Sequence, residues 1–152
     1  MPSPSFTALD LEVRRHILAA LAAGGIPTRE SVRQALDLDD AQVSASDATL
    51  TASHVIVPDR DTGEVWMAMP FSAVPTPFPV VVGGRAVWAN CAWDAFGIAA
   101  ALDDDIAFTT PCPASGAVIA GGVRRGVAFA HPGAVAYVGV PAAQWWDDIG
   151  FT

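Results

Sequence analysis

In the stretch WANCAWDAFG, residues 88–97, Cys91 and Asp94 stand three residues apart behind a run of apolar residues. A thiolate is a soft nucleophile, and a carboxyl group can take up or deliver its proton, so the two form a workable acid–thiol couple. Asn90 is the expected N-cap of a helix starting here, which puts Cys91 in its first turn and Asp94 on the same face. Unpaired backbone N–H groups and the positive end of the helix dipole favour a thiolate in that position. The bland use of the same residues is a buried small thiol and an aspartate that merely meets the dipole. Cys112, in TTPCPASG, lies between prolines after a strand-like run; it reads as a small residue packed in a turn, or as a second soft ligand. His16, His54 and His131 are scattered and match no metal-ligand spacing, so each is read as structural or solvent-facing. The glycine pairs of VVVGGR and IAGGVRRG read as hairpin turns rather than phosphate loops.

The elements that must position this couple follow from periodicity. Leu9, Val13, Ile17 and Leu21 recur at helical spacing and are stopped by Gly24-Gly25. A second helix follows Thr28 as N-cap, with Val32, Ala35 and Leu36 as its stripe, and a third starts at Asp39 or Asp40. HVIVPDRDTGEVWMAM then reads as two strands around a turn at 59–63. Three short helices and a hairpin give a winged-helix-like module over residues 1–70. Residues 39–52 carry three aspartates and no Lys or Arg, so this module is read as structural or interface-forming, not DNA-binding. FSAVPTPFPVVVGG reads as a proline-rich connector at the module boundary. Residues 71–152 then form an α+β core: the strand RAVWA, the helix carrying Cys91 and Asp94, and four runs, IAFTT, GAVIAG, GVAFA and AVAYVGV. Rich in Val, Ile and aromatics, these suggest a small, largely antiparallel sheet. Trp66, Trp88, Trp93 and Phe96 are the nearest bulky residues for an apolar pocket or a core, and Trp145-Trp146 is assigned to the core.

Composition narrows the function classes. With 152 residues, 52% of them hydrophobic, the chain has ample material for a folded core. A net charge of −8, with arginine as the only strong base, disfavours nucleic acid as a partner. No apolar run approaches the roughly 20 residues of a membrane span, and MPSPSFTALD has no basic or apolar leader region. The expectation is a cytoplasmic protein whose two cysteines are reduced thiols.

The run GRAVWANCAWDAFGIAAAL, followed by FTTPCPASG, resembles the organomercurial (alkylmercury) lyases, as does the order of three short helices and a wing before the core. The resemblance covers nearly the whole chain. It implies an enzyme that breaks a carbon–mercury bond by protonolysis, giving a hydrocarbon and Hg(II). By that resemblance Cys91 attacks mercury as a thiolate, and Asp94 shuttles the thiol proton to the leaving carbon. Cys91 and Asp94 hold the Hg(II) product, and Cys112 matches a cysteine better regarded as structural than as a ligand. No organic cofactor is implied; free small thiols, or a mercuric-ion acceptor protein, carry the product away. The family also uses a second catalytic cysteine on a strand near the C-terminus, and this sequence has only Cys91 and Cys112. Two readings compete: a chain that stops before that cysteine, or a homologue that has lost it and is impaired. In the second case Asp147 or Asp148 stands nearby only as a hard, poor substitute. Outside the lyase reading remain a non-catalytic protein that binds Hg(II) or Cu(I) and an enzyme of different substrate on the same scaffold.

Overall fold

The computed structural model describes residues 5–150; Met1–Pro4, part of the stretch read for a leader, and Phe151–Thr152 lie outside the described residues. Each of the first three helices starts where a side chain can occupy its free N–H groups. Helix α1 (Ala8–Ala22) is capped by Thr7 and Asp10, α2 (Arg29–Ala35) by Thr28 and Ser31, and α3 (Asp40–Ala52) by Asp39 and Gln42, all as reciprocal capping boxes. Asp39, not Asp40, therefore caps α3. The stripe Val13, Ile17 and Leu21 of α1 packs with Val32 and Leu50 in a shared core. Ala35, expected on the stripe of α2, is exposed, because that helix is too short to bury more than Val32.

The strands are β1 (Ile56–Pro58), β2 (Val65–Ala68), β3 (Phe71–Ser72), β4 (Pro79–Val82), β5 (Arg85–Ala89), β6 (Ile106–Pro111), β7 (Val118–Arg124) and β8 (Val127–Ala130). They form one sheet in the order β1-β2-β3-β5-β4-β6-β7-β8, with every neighbouring pair antiparallel, so the α+β class holds. The hairpin that follows the helices is thus hydrogen-bonded, through the two residues of β3, to the strand that leads into Cys91. Helix α4 (Ala92–Leu102) lies on this sheet and buries Ala95, Ile98 and Ala99, with Phe96 edge-on to Phe108 of β6 at 5.2 Å between ring centres.

Several local expectations are corrected. Of the proline-rich stretch only residues 73–78 and the Gly83-Gly84 pair connect strands, since Phe71–Ser72 and Pro79–Val82 are themselves strands. Gly83-Gly84 do make the β4–β5 turn, both at positive φ, as a two-residue hairpin requires. Gly121-Gly122 do not turn; they lie inside β7, and Arg125-Gly126 turn instead. Space explains it: a Cβ on Gly121 would sit 2.6 Å from Phe108 Cζ, and one on Gly122 would sit 2.2 Å from the Ile106 carbonyl oxygen. AVAYVGV, residues 134–140, forms no strand. After β8 the chain turns through Pro132 and Gly133, closed by the Ala134 N–H on the His131 carbonyl, and leaves Val135 and Tyr137 in solvent. Trp145 and Trp146, in a short 3-10 helix (Ala142–Asp147), are not core residues: each is more than a third exposed. Trp146 stacks flat on His54, at 3.7 Å between ring centres, which gives that histidine a partner its sequence position did not announce. Among the described residues no helix is long and apolar enough to cross a membrane.

Candidate active site

Strand β5 carries the chain inward through buried Val87 and Ala89, and α4 begins immediately beyond. Asn90 is not the cap. Cys91 occupies that place, with extended backbone at φ −147° and ψ 179°, and its sulfur accepts the Asp94 N–H at 3.4 Å. The cap position brings the thiol back over the first turn of its own helix. There Sγ lies 3.5 Å from Asp94 Oδ2, in line for the S–H to donate to the carboxylate. Both side chains are half-buried, so the pair expected from the spacing is formed. Trp93, between them in sequence, is 77% exposed and walls no closed pocket, while Phe96 belongs to the core.

The charge state differs from the expectation of a dipole-favoured thiolate. Burial pushes the Cys91 thiol above the ordinary cysteine value, and the negative charge of Asp94 pushes the same way; the N–H groups of Asp94 and Trp93 offset this only in part. Burial likewise raises Asp94, against the hydrogen bonds it receives from Cys91 and Asn90. A protonated thiol facing a carboxyl group of raised proton affinity is suited to passing a proton between sulfur and oxygen.

Asn90 and Met69 complete the surroundings; the sequence offered Asn90 only as a helix cap and gave no sign of Met69. The backbone N–H of Asn90 reaches the Pro70 carbonyl at 3.4 Å, and its Nδ2 donates to Met69 Sδ at 3.3 Å. The turn between β2 and β3 thereby closes over the start of α4. Gly97 permits this approach, since a Cβ there would already be 3.3 Å from Pro70 Cβ.

Cys112 stands apart, after β6, in a turn closed by its N–H on the Ala117 carbonyl and the Gly116 N–H on its own carbonyl. The register Trp88–Pro79 and Val80–Phe108 shows that β5 and β6 end at the same end of the sheet, with β4 between them. The two cysteines are therefore neighbours in topology, roughly 10 Å apart at the strands that deliver them, two strand spacings. The hydroxyl of Ser115 and the N–H groups of Ser115 and Ala114 lower the Cys112 thiol pKa, opposite to Cys91. Both cysteines are free, and among the described residues no group of three or more His, Cys, Asp or Glu gathers as a metal site.

Comparison with known proteins bears on the fold that carries this pair. A family model described as MerB: Alkylmercury lyase matches residues 71–152, more than half of the chain and all of α4 and the strands around it. The chain belongs to the alkylmercury lyase family. The crystal structure of the mercury-bound form of MerB2 is similar with a TM-score of 0.70 and 23% sequence identity, over 85% of this chain and 63% of that one. That likeness is one of fold, and the chain spans somewhat under two-thirds of the MerB2 length. Comparison with curated proteins gives no match. The alkylmercury lyase match begins at Phe71, so the helices and the first hairpin rest on the structural likeness.

Proposed function

We propose that this protein cleaves carbon–mercury bonds by protonolysis, with Cys91 as nucleophile and Asp94 as proton carrier. The observation that carries the reading is the 3.5 Å approach of Cys91 Sγ to Asp94 Oδ2 at the cap of α4, in a chain of the alkylmercury lyase family. An organomercurial arrives as its thiol adduct, R–Hg–SR′. The Cys91 S–H proton passes to the Asp94 carboxylate, and the thiolate so formed adds to mercury, a soft ion that prefers sulfur. Asp94 then delivers the proton to carbon, which keeps the electron pair of the breaking bond and leaves as RH. Mercury remains on the Cys91 sulfur and the incoming SR′, and Asp94 is again a carboxylate. A second R′SH returns its proton to Cys91 and removes Hg(SR′)2, so the cycle balances without a third protein thiol. Raised proton affinity at both groups suits the relay, because neither holds its charge cheaply before mercury arrives. The free thiols needed for the last step place the reaction in a reducing compartment such as the cytoplasm, where a mercuric-ion acceptor protein serves equally.

Methylmercury with excess small thiol tests the reading, with methane measured by gas chromatography. The protein releases methane, Cys91→Ser releases none, and Asp94→Ala releases far less. Stoichiometric mercury binding without methane overturns the lyase reading and leaves a soft-metal binding protein.

A further inference from the structure

On the strands next to α4 the two faces of the sheet differ. Val80 and Val82 of β4 and Ile106 and Phe108 of β6 are buried in the core that α4 helps to form. The opposite face reads across five strands as Ala86, Val81, Ala107, Gly122 and Phe129, each paired directly with the next. Four of the five are exposed, Val81 at 49% and Phe129 at 41%, while Gly122 lies under the Phe129 ring. Two residues along, Thr109 pairs with Ala120, and both are exposed as well. An antiparallel sheet that meets water on one face ordinarily carries polar side chains there. This face is apolar instead, and none of these positions is acidic in a chain of net charge −8. Arg124, beside them, holds its guanidinium over the Phe129 ring, 5.6 Å from its centre.

We propose that this face is the contact between two copies of the chain, packed sheet against sheet about a two-fold axis along β6. The row of five carries the argument, because it is complementary to itself when reversed. In the run β5-β4-β6-β7-β8 the middle strand is β6, so the axis lays β8 of each copy over β5 of the other, and β7 over β4. Phe129, the largest side chain of the row, then meets Ala86. Val81 meets Gly122, where no side chain stands in the way but the Phe129 ring leans across, and Ala107 meets its own copy. Face-to-face sheets lie about 10 Å apart, a gap that such pairs of large with small fill evenly. A foreign partner is selected by charge and hydrogen bonds, and this row offers neither. Five strands span about 24 Å and two to three rows about 14–20 Å, so two copies cover roughly 800 Å² in plan. That is below the standard size, so the dimer is reversible and populated at micromolar concentrations. Helix α4 lies on the other face, and the partner leaves Cys91 and Asp94 open.

Sedimentation velocity of the whole chain in reducing buffer, across the micromolar range, reads the contact without any contribution from disulfides. The mass rises with concentration from 15.7 kDa towards twice that value. Added salt strengthens the association, because it screens the repulsion between two copies of charge −8 and leaves the apolar contact in place. Val81→Glu sets a carboxylate inside the contact and weakens association about tenfold or more. Ile26→Glu, at a site 70% exposed on the helical module, leaves it unchanged. A parent chain that stays at 15.7 kDa throughout overturns the proposal, as does a folded Val81→Glu that associates like the parent. If Val81→Glu does not fold by circular dichroism, Ala86→Glu is measured in its place, since it stands opposite Phe129. A monomeric parent in which Val81→Glu lowers the unfolding midpoint and Ile26→Glu does not has this face covered by a segment of its own chain, which equally overturns the contact between copies.

Discussion

Replacing Asp94 with Asn moves two observables in opposite directions. The substitution removes a negative charge 3.5 Å from the Cys91 sulfur and leaves intact the backbone N–H of residue 94 that donates to that sulfur. Coulomb's law gives two unit charges at that separation about 1 kcal/mol in water and about 5 kcal/mol at a dielectric of 20. Both groups are half-buried and open to solvent on one side, so the lower figure governs. It corresponds to a fall of about one unit in the thiol midpoint and a roughly tenfold larger thiolate fraction at neutral pH. A thiolate of lower basicity is also a weaker nucleophile, with a Brønsted slope of about 0.4–0.5, so alkylation by iodoacetamide at neutral pH rises only about threefold and its high-pH plateau falls. Methane release moves the other way and drops sharply, because the amide carries no proton to carbon. The assay needs a Cys112→Ser background or peptide-resolved mass spectrometry, since the lowered pKa of Cys112 makes that thiol compete for the reagent. An alkylation midpoint that rises or stays fixed in Asp94→Asn refutes the reasoning, because the carboxylate would then not be facing the thiol.

Two further outcomes concern the scaffold. Gly122→Ala costs about 2–3 kcal/mol, the upper part of the range for overpacking, since its new Cβ meets backbone that cannot step aside; Gly126→Ala, in open space at positive φ, costs about 1 kcal/mol. Urea unfolding midpoints compare the two, and equal losses would contradict the assignment of Gly122 to the strand interior. Asp10 is buried, and although burial opposes its ionisation, the N–H and hydroxyl of Thr7 hold its carboxyl group below the ordinary value. Its contribution to stability is therefore complete above the usual carboxylate range and disappears as pH falls through that lowered value. Asp10→Ala loses about 1–2 kcal/mol at neutral pH and shows a shallower acid-side decline in denaturant unfolding than the parent protein.

The couple of Cys91 and Asp94 was legible because a three-residue spacing and a strand-to-helix change are both local. So was the cap at Thr28, and that of α3 to within one residue, Asp39 or Asp40, where side chain and helix start are set by the same few residues. Asn90 shows the limit. By intrinsic preference it outranks cysteine as a cap, yet its amide is taken by Met69, which arrives from the turn between β2 and β3 and has no sequence signal linking it to the site. The direction of the Cys91 shift was likewise hidden: the dipole argument was local, whereas the burial that outweighs it comes from tertiary packing. Gly121-Gly122 looked like a turn because nothing nearby reveals the Phe108 ring and the Ile106 carbonyl that forbid side chains there. AVAYVGV has the composition of a strand, but a strand also needs an edge to pair with, and the turn at Pro132-Gly133 carries it off β8.

Strand β3 is two residues long, buried, and pairs with β2 on one side and β5 on the other, Phe71 opposite Ala89 and Ser72 opposite Trp88. For anyone building chimeras within this family, that makes the junction a seam rather than a linker. Exchanging the helices and first hairpin for those of a relative succeeds only if the graft brings two residues that fit the register of β5. A mismatch there is transmitted in two steps of chain, from Ala89 through Asn90 to the cysteine.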